Sequence, residues 1–185
     1  MHYPMRRSDE QTDDGTVREL LERGRWCVAS TTDEDGMPYG VPLVYVYHDG
    51  AVYLHTVKDD VRPATHLRSN LRRNPCLCVT VVPEQQVVQE KIGMNYASVI
   101  AVGRAEALEG EEKRAGMALF VDKYAPDYRA KGLHLVDKML DRVCVWRLVP
   151  DEVTGKVSAL GSAAASISEP ARQTSESAAT RTGAR

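Results

Sequence analysis

Lys58, Arg62, Arg68, Arg72 and Arg73 crowd into the stretch HTVKDDVRPATHLRSNLRRN, residues 55–74, against only Asp59 and Asp60. His66 stands among them. Cations at this density can hold an anion, a phosphate above all, through charge-assisted hydrogen bonds. A histidine beside them has the near-neutral pKa needed to pass a proton. The same residues would equally suit a helix that simply shows its cations to water, and charge alone leaves both readings open. Position adds weight to the anion site. The stretch begins at the end of the apolar run AVYLHTV and enters a helical segment, so backbone N–H groups and cationic side chains converge on one place.

Other chemistries leave weaker marks. The chain has no P-loop, nucleophile elbow or HExxH motif. His48 reads as a solvated turn residue beside Asp49, and His55 and His66 lack carboxylate or cysteine partners at ligand spacing, so no metal site is expected. Cys27, Cys76, Cys78 and Cys144 lie in apolar runs without C-x-x-C spacing and read as buried thiols of a reducing compartment. The net charge of −2 argues against bulk nucleic-acid binding and gives the basic cluster a local target. The first residues, MHYPMRRSDEQTDD, carry no apolar signal segment, and a cytoplasmic protein is expected.

The elements that must position these residues follow from periodicity. Residues 1–12 read as a polar arm and 13–157 as one domain. The composition of 158–185, rich in Ala, Ser and Thr, predicts a disordered tail. A short helix is expected over 13–24, capped by Asp13 or Asp14 and ended at Gly24. Strands are expected over 26–32, 40–47 and 51–57, joined by DEDG and HDG turns. A helix over 64–73 follows, with Pro63 at or before its first turn. Strands 76–82, 97–108 and 142–150 complete a set of six, with 83–95 read as strand end and loop. Gly103 suggests a bulge or tight bend. Helices are expected over 110–124, with Met117, Leu119, Phe120 and Val121 inward, and around 133–140. Six short strands, most joined by tight turns, predict a mainly β, α+β fold: a six-stranded antiparallel split β-barrel with peripheral helices. Strands that do not alternate with helices, and no G-x-G-x-x-G, exclude a Rossmann domain. A phosphate on such a barrel would belong to a nucleotide cofactor.

The ordered set PYGVPL, NLRRNP, NYASVI and TGK resembles the pyridoxamine 5′-phosphate oxidase-like flavoproteins, and within them the branch of the nitroimidazole-resistance proteins. The likeness runs from about Met5 to Lys156. It implies a homodimer with FMN in a groove between subunits. The flavin ring would lie along Val41, Pro42, Leu43 and Val44, largely against backbone. His55, Thr56, Lys58, Thr65, His66 and Arg68 would surround the phosphate, with Asn95, Tyr96 and Ser98 at the flavin pocket or dimer seam. Tyr96 plugging the barrel end is the alternative. One departure stands out: Leu67 occupies the place of a phosphate-binding lysine, after a longer link from Lys58. Lys58, Arg62 or Arg68 would replace that lysine, or FMN binding would weaken.

The activity so implied is FMN-dependent reduction of a small electrophile such as a nitro compound, with NAD(P)H as donor. His66 is the candidate catalytic residue, with phosphate ligation as its competing role. The alternatives are a flavin- or haem-binding protein without turnover and a deazaflavin-dependent reductase on the same barrel.

Overall fold

The computed structural model describes residues 5–58 and 65–158. Arg62, Pro63 and the tail beyond Ser158 lie outside the described residues. Four α-helices and seven strands follow along the described chain: α1 (Asp14–Arg23), β1 (Trp26–Thr32), β2 (Pro38–Val44), β3 (Val46–His48), β4 (Ala51–Val57), α2 (His66–Arg73), β5 (Cys76–Val88), β6 (Gly93–Leu108), α3 (Gly110–Tyr124), α4 (Arg129–Met139) and β7 (Val143–Ser158). The strands form one sheet in the order β2-β1-β5-β6-β7-β4-β3. Every pairing is antiparallel.

Seven strands replace the expected six because the strand read over 40–47 is broken at Tyr45. Its first half, β2, pairs with β1, while its second half, β3, pairs with β4 at the opposite edge of the sheet. The cause is a distant side chain. The Tyr124 hydroxyl takes the Tyr45 N–H (3.2 Å) and lies 2.6 Å from the Tyr45 carbonyl, removing both backbone groups from the ladder. One peptide thus belongs to both edges, and the open sheet curls into the geometry of a split barrel.

The local signals have physical causes. Asp49 and Gly50 both take positive φ (47° and 78°), the conformation a two-residue hairpin demands. Asp33 folds the β1–β2 turn by accepting from the amides of Asp35 and Met37. Pro83 has no N–H to give, and the β5–β6 register shifts between Val81 and Glu84. Pairing then resumes, so β5 reaches Val88 and β6 starts at Gly93, where a loop was expected. The β6–β7 register shifts at Gly103, as anticipated, and β7 continues to Ser158 rather than stopping at 150. A Cβ on Gly103 would meet the Asp151 nitrogen and the Val149 oxygen at 3.0 Å.

Alternation sends Cys27, Ala29, Leu54, Val79, Val99 and Leu148 inward. The helix α1, capped by the Asp13 carboxylate on the Thr16 amide, covers them with Val17, Leu20 and Leu21. Leu67 and Leu71 bring α2 onto the same core. Of the helix α3, Phe120 and Val121 are buried as expected, whereas Met117 and Leu119 are half-buried. The helix expected around 133–140 starts earlier, as α4. All four cysteines are free, but only Cys27 is buried; Cys76 is exposed, because both ends of a strand run past the core. The polar arm is docked where described: Gln11 pairs with Lys156, whose ammonium reaches Glu10 (2.8 Å) and the Tyr96 hydroxyl (2.7 Å).

Candidate anion and cofactor site

The end of β4, one face of α2 and the facing ends of β6 and β7 border an open pocket of about 640 Å³. Lys58, Arg68 and Arg72 line it, together with Glu109, Cys144 and an apolar floor that includes Leu71, Ala105 and Trp146. Arg68 and Arg72 are four apart on α2 and so share a helical face. The helix is held in register by three side chains. Thr65 caps it by accepting from the Arg68 amide (3.3 Å). Asn70 donates to the buried Thr31 hydroxyl of β1 (3.0 Å), and Asn74 to Thr32 (3.4 Å). Lys58 is fixed by its own amide, which donates to the Arg142 carbonyl.

Arg68 is only 7% exposed although its head is permanently charged. Burying a guanidinium is unfavourable unless anionic or polar groups surround it. Among the described residues that line the pocket, Lys58, Arg68 and Arg72 stand beside one carboxylate, Glu109, and cations of this kind can bind a phosphate by charge-assisted hydrogen bonds. Trp146, 4% exposed, forms part of the floor and donates its indole N–H to the Thr56 hydroxyl (3.3 Å).

The residues expected at the site fall into three groups. Lys58 and Arg68 line the pocket, and Thr56 stands behind its floor through Trp146. Thr65 and His66 are exposed at the start of α2, where the His66 ring lies 5.0 Å from that of Tyr39 on β2. Val41, Pro42, Leu43 and Val44 lie on β2, the edge strand beside them; Pro42 and Val44 are exposed while Val41 and Leu43 are half-buried. His55 turns the other way from Thr56. Its ring meets Phe120 of α3 edge-on at 4.6 Å, and burial holds its pKa below the ordinary 6.5. Its Nδ1 is buried without a hydrogen-bond partner among the described residues. Asn95, Tyr96 and Ser98 are also apart from the pocket. Ala105 of the pocket is on the same strand as Tyr96, nine residues on, a span of roughly 30 Å at strand rise.

Leu67 is 2% exposed and belongs to the core. The departure at this position is therefore a packing choice: the helix turns Leu67 inward and presents Arg68 and Arg72 to the pocket. Sequence reasoning named Arg72 in the basic cluster without assigning it to the phosphate, and missed Glu109, Cys144 and the pocket role of Trp146. The four-residue spacing of Arg68 and Arg72 could have paired them on one face. Glu109, Cys144 and Trp146 come from the end of β6 and from β7, and depend on a register no local signal carries.

A second polar cluster was also missed. Lys123 donates to the Gly24 carbonyl at the end of α1 (2.6 Å) and lies 4.4 Å from the centre of the Tyr45 ring. Burial lowers its pKa to about 8. Burial likewise pushes the nearby Cys27 thiol up to about 12. The Tyr45 hydroxyl donates to the Leu21 carbonyl (2.6 Å).

The architecture has relatives among solved structures. A candidate 5-nitroimidazole antibiotic resistance protein from Bacteroides thetaiotaomicron matches with a TM-score of 0.63 and 26% identity, over 78% of this chain and 84% of that one. The flavocytochrome Anf3 from Azotobacter vinelandii shares the fold with a TM-score of 0.69 at 22% identity, over 84% and 72%. A FAD and haem binding protein from Mycobacterium smegmatis does so with a TM-score of 0.69 at 17% identity, over 81% and 74%. A comparison with curated proteins found no match. The family model described as pyridoxamine 5′-phosphate oxidase, however, matches residues 13–157. A curled antiparallel sheet with a cationic pocket at one end, and a family match spanning nearly all of the described chain, lead to one assignment: the protein is a member of the pyridoxamine 5′-phosphate oxidase family.

Proposed function

We propose that the protein is a flavin-dependent oxidoreductase, with FMN as cofactor, that reduces a small electrophile such as a nitro compound with electrons from NAD(P)H. The observation that carries this reading is the convergence of Lys58, Arg68 and Arg72 on one pocket, with His66 at the start of the same helix α2 against Tyr39 of the edge strand β2. Family membership supports a flavin, and the resemblance to a candidate nitroimidazole-resistance protein supports the electrophile class. When bound, the flavin would supply hydride and electron transfer. The chain would supply the rest. Lys58, Arg68 and Thr65 hold the phosphate end. The backbone of Val41–Val44, on an edge strand, offers groups to the ring. His66 is exposed beside Tyr39, free of the core, and holds the proton.

The working unit in this proposal is a homodimer. Val44, Ile100, Val102 and Val153 are exposed apolar residues on β2, β6 and β7. A second copy would cover such a surface, which is costly to leave in water, and would supply Asn95, Tyr96 and Ser98 to a shared groove.

The visible spectrum of the purified protein, before and after addition of FMN and removal of excess, tests the cofactor. Flavin bands at one per subunit, followed by sustained NAD(P)H oxidation with a nitroaromatic acceptor, are expected. Bound flavin without turnover would move the protein to a storage or sensing role. Refusal of FMN would overturn the cofactor reading.

A further inference from the structure

The sequence reads Cys76 and Cys78 as buried thiols, but the fold turns both to the outer face of β5, with Leu77 between them in the core. Cys76 is exposed, Cys78 is half-buried, and neither is in a disulfide. Two residues apart on one strand, their side chains leave the same face about 6.6 Å from each other. That is too wide for a disulfide, which needs Cβ atoms roughly 3.5–4.5 Å apart. It suits one bridging ion. A thiolate–metal bond is about 2.3 Å long, so a linear sulfur–metal–sulfur unit spans about 4.6 Å, and side chains that lean along the strand close the difference. The strand is firmly placed. The Cys76 amide donates to Asn74 Oδ1 (3.2 Å), Ser30 of β1 is opposite Cys78, and Arg104 of β6 is opposite Cys76. Arg104 Nη1 donates to the Cys76 sulfur (3.5 Å).

We propose that Cys76 and Cys78 form a two-thiolate site for a soft monovalent cation, cuprous copper above all, with Arg104 beside it. Soft thiolates select Cu(I) among the first-row ions. Both thiols give up their protons on binding, and two thiolates with one Cu⁺ make a singly negative complex, which the Arg104 guanidinium offsets. Burial raises the Cys78 pKa above the ordinary 9.0, and the metal, rather than the medium, displaces that proton. Among the described residues no group of three or more His, Cys, Asp or Glu is placed to hold a metal. A tetrahedral ion such as Zn²⁺ would therefore find half of its shell missing. The site is on the outer face of the sheet and asks nothing of a flavin.

Full-length protein, reduced and kept free of oxygen, is titrated with Cu(I) in competition with the chromogenic chelator bicinchoninate. One Cu(I) per chain is expected to be withheld from the chelator. Cys76→Ser and Cys78→Ser are each expected to weaken binding at least about tenfold, or about 1.4 kcal/mol, because a chelate needs both sulfurs. Both positions are on the solvent side of the strand, so these variants keep the fold, which circular dichroism checks. Cys144→Ser, on β7, is expected to hold copper as the wild type does, and Zn²⁺ in excess is expected not to displace it. Either Cys76→Ser or Cys78→Ser binding as tightly as the wild type would overturn the proposal, as would displacement by Zn²⁺. The native assembly is used throughout, so a face closed off by a second copy would show as no copper bound, and that result too would sink the site.

Discussion

The Tyr124 hydroxyl lies 2.6 Å from the carbonyl of Tyr45, 79 residues earlier, and equally close to that of Arg25. It also accepts from the Tyr45 amide at 3.2 Å. A phenol has one proton, so the two carbonyls share it while the amide has the oxygen lone pair. Tyr124→Phe strands these groups. A loss of about 1–3 kcal/mol is expected, the cost of leaving buried polar groups unmade. Urea unfolding checks it, and an unchanged midpoint would show the junction to be held by other forces.

The Lys123 amine gives a stability–pH slope whose sign is fixed. Its folded pKa of about 8 is below the ordinary 10.5. Between these values the unfolded chain binds more protons, so stability rises with pH from about 8. Cys27 acts oppositely above the ordinary thiol value of 9.0, because its folded pKa is pushed up to about 12. Rising stability is therefore expected in the interval from pH 8 to 9, with the gain offset above it. Thermal melts across this interval should show the slope in the wild type and a flatter one in Lys123→Met.

His55 governs the acid side. Its folded pKa is depressed by burial against Phe120, so the unfolded chain takes up its proton first as pH falls below about 6.5. Stability is lost on acidification through that range. His55→Phe, which keeps an aromatic ring against Phe120, is expected to flatten the acid limb of a pH–melting curve; an identical limb would place the sensitivity elsewhere.

Restoring the lysine expected at position 67 is predicted to do harm. Leu67 is almost fully buried, so Leu67→Lys would place an unpaired ammonium in the core. A loss of about 3–5 kcal/mol is expected, with no gain in flavin retention. By contrast Arg68→Met should spare the fold more than it spares the ligand. One lost charge-assisted hydrogen bond weakens phosphate binding by about one to two decades, read by spectral titration.

Gly24 is required by space. A Cβ there would lie 2.3 Å from the Tyr45 hydroxyl and 2.6 Å from Val81 Cγ1. Its φ is −60°, so the glycine expected as a helix terminator is needed for clearance and has no left-handed conformation to serve. Gly24→Ala is expected to cost about 1–3 kcal/mol, measured by chemical denaturation.

These residues mark what a sequence can and cannot reveal. Asp49–Gly50, the Asp13 cap and the Gly103 bulge were legible because their causes are local: a turn geometry, an unsatisfied amide, a missing Cβ. The break at Tyr45 was not, since the hydroxyl responsible sits on a helix far along the chain. His55 was grouped with Thr56 by adjacency, although neighbours on a strand point to opposite faces. Lys58 and Arg68 were found by charge. Glu109, Cys144 and Trp146 were invisible as partners, because only the β6–β7–β4 register brings them to that pocket.

The continuous segment from Pro38 to His48 has a kinetic consequence. Its halves pair with strands at opposite ends of the sheet order, so neither edge can be released alone without pulling on the hinge between them. Amide protons on Val41 and Tyr47 should therefore exchange with solvent as one cooperative unit. The segment acts as a hasp: until it seats, β1 and β4 each present a row of unpaired backbone to any neighbouring chain, and once it seats, both rows are covered together.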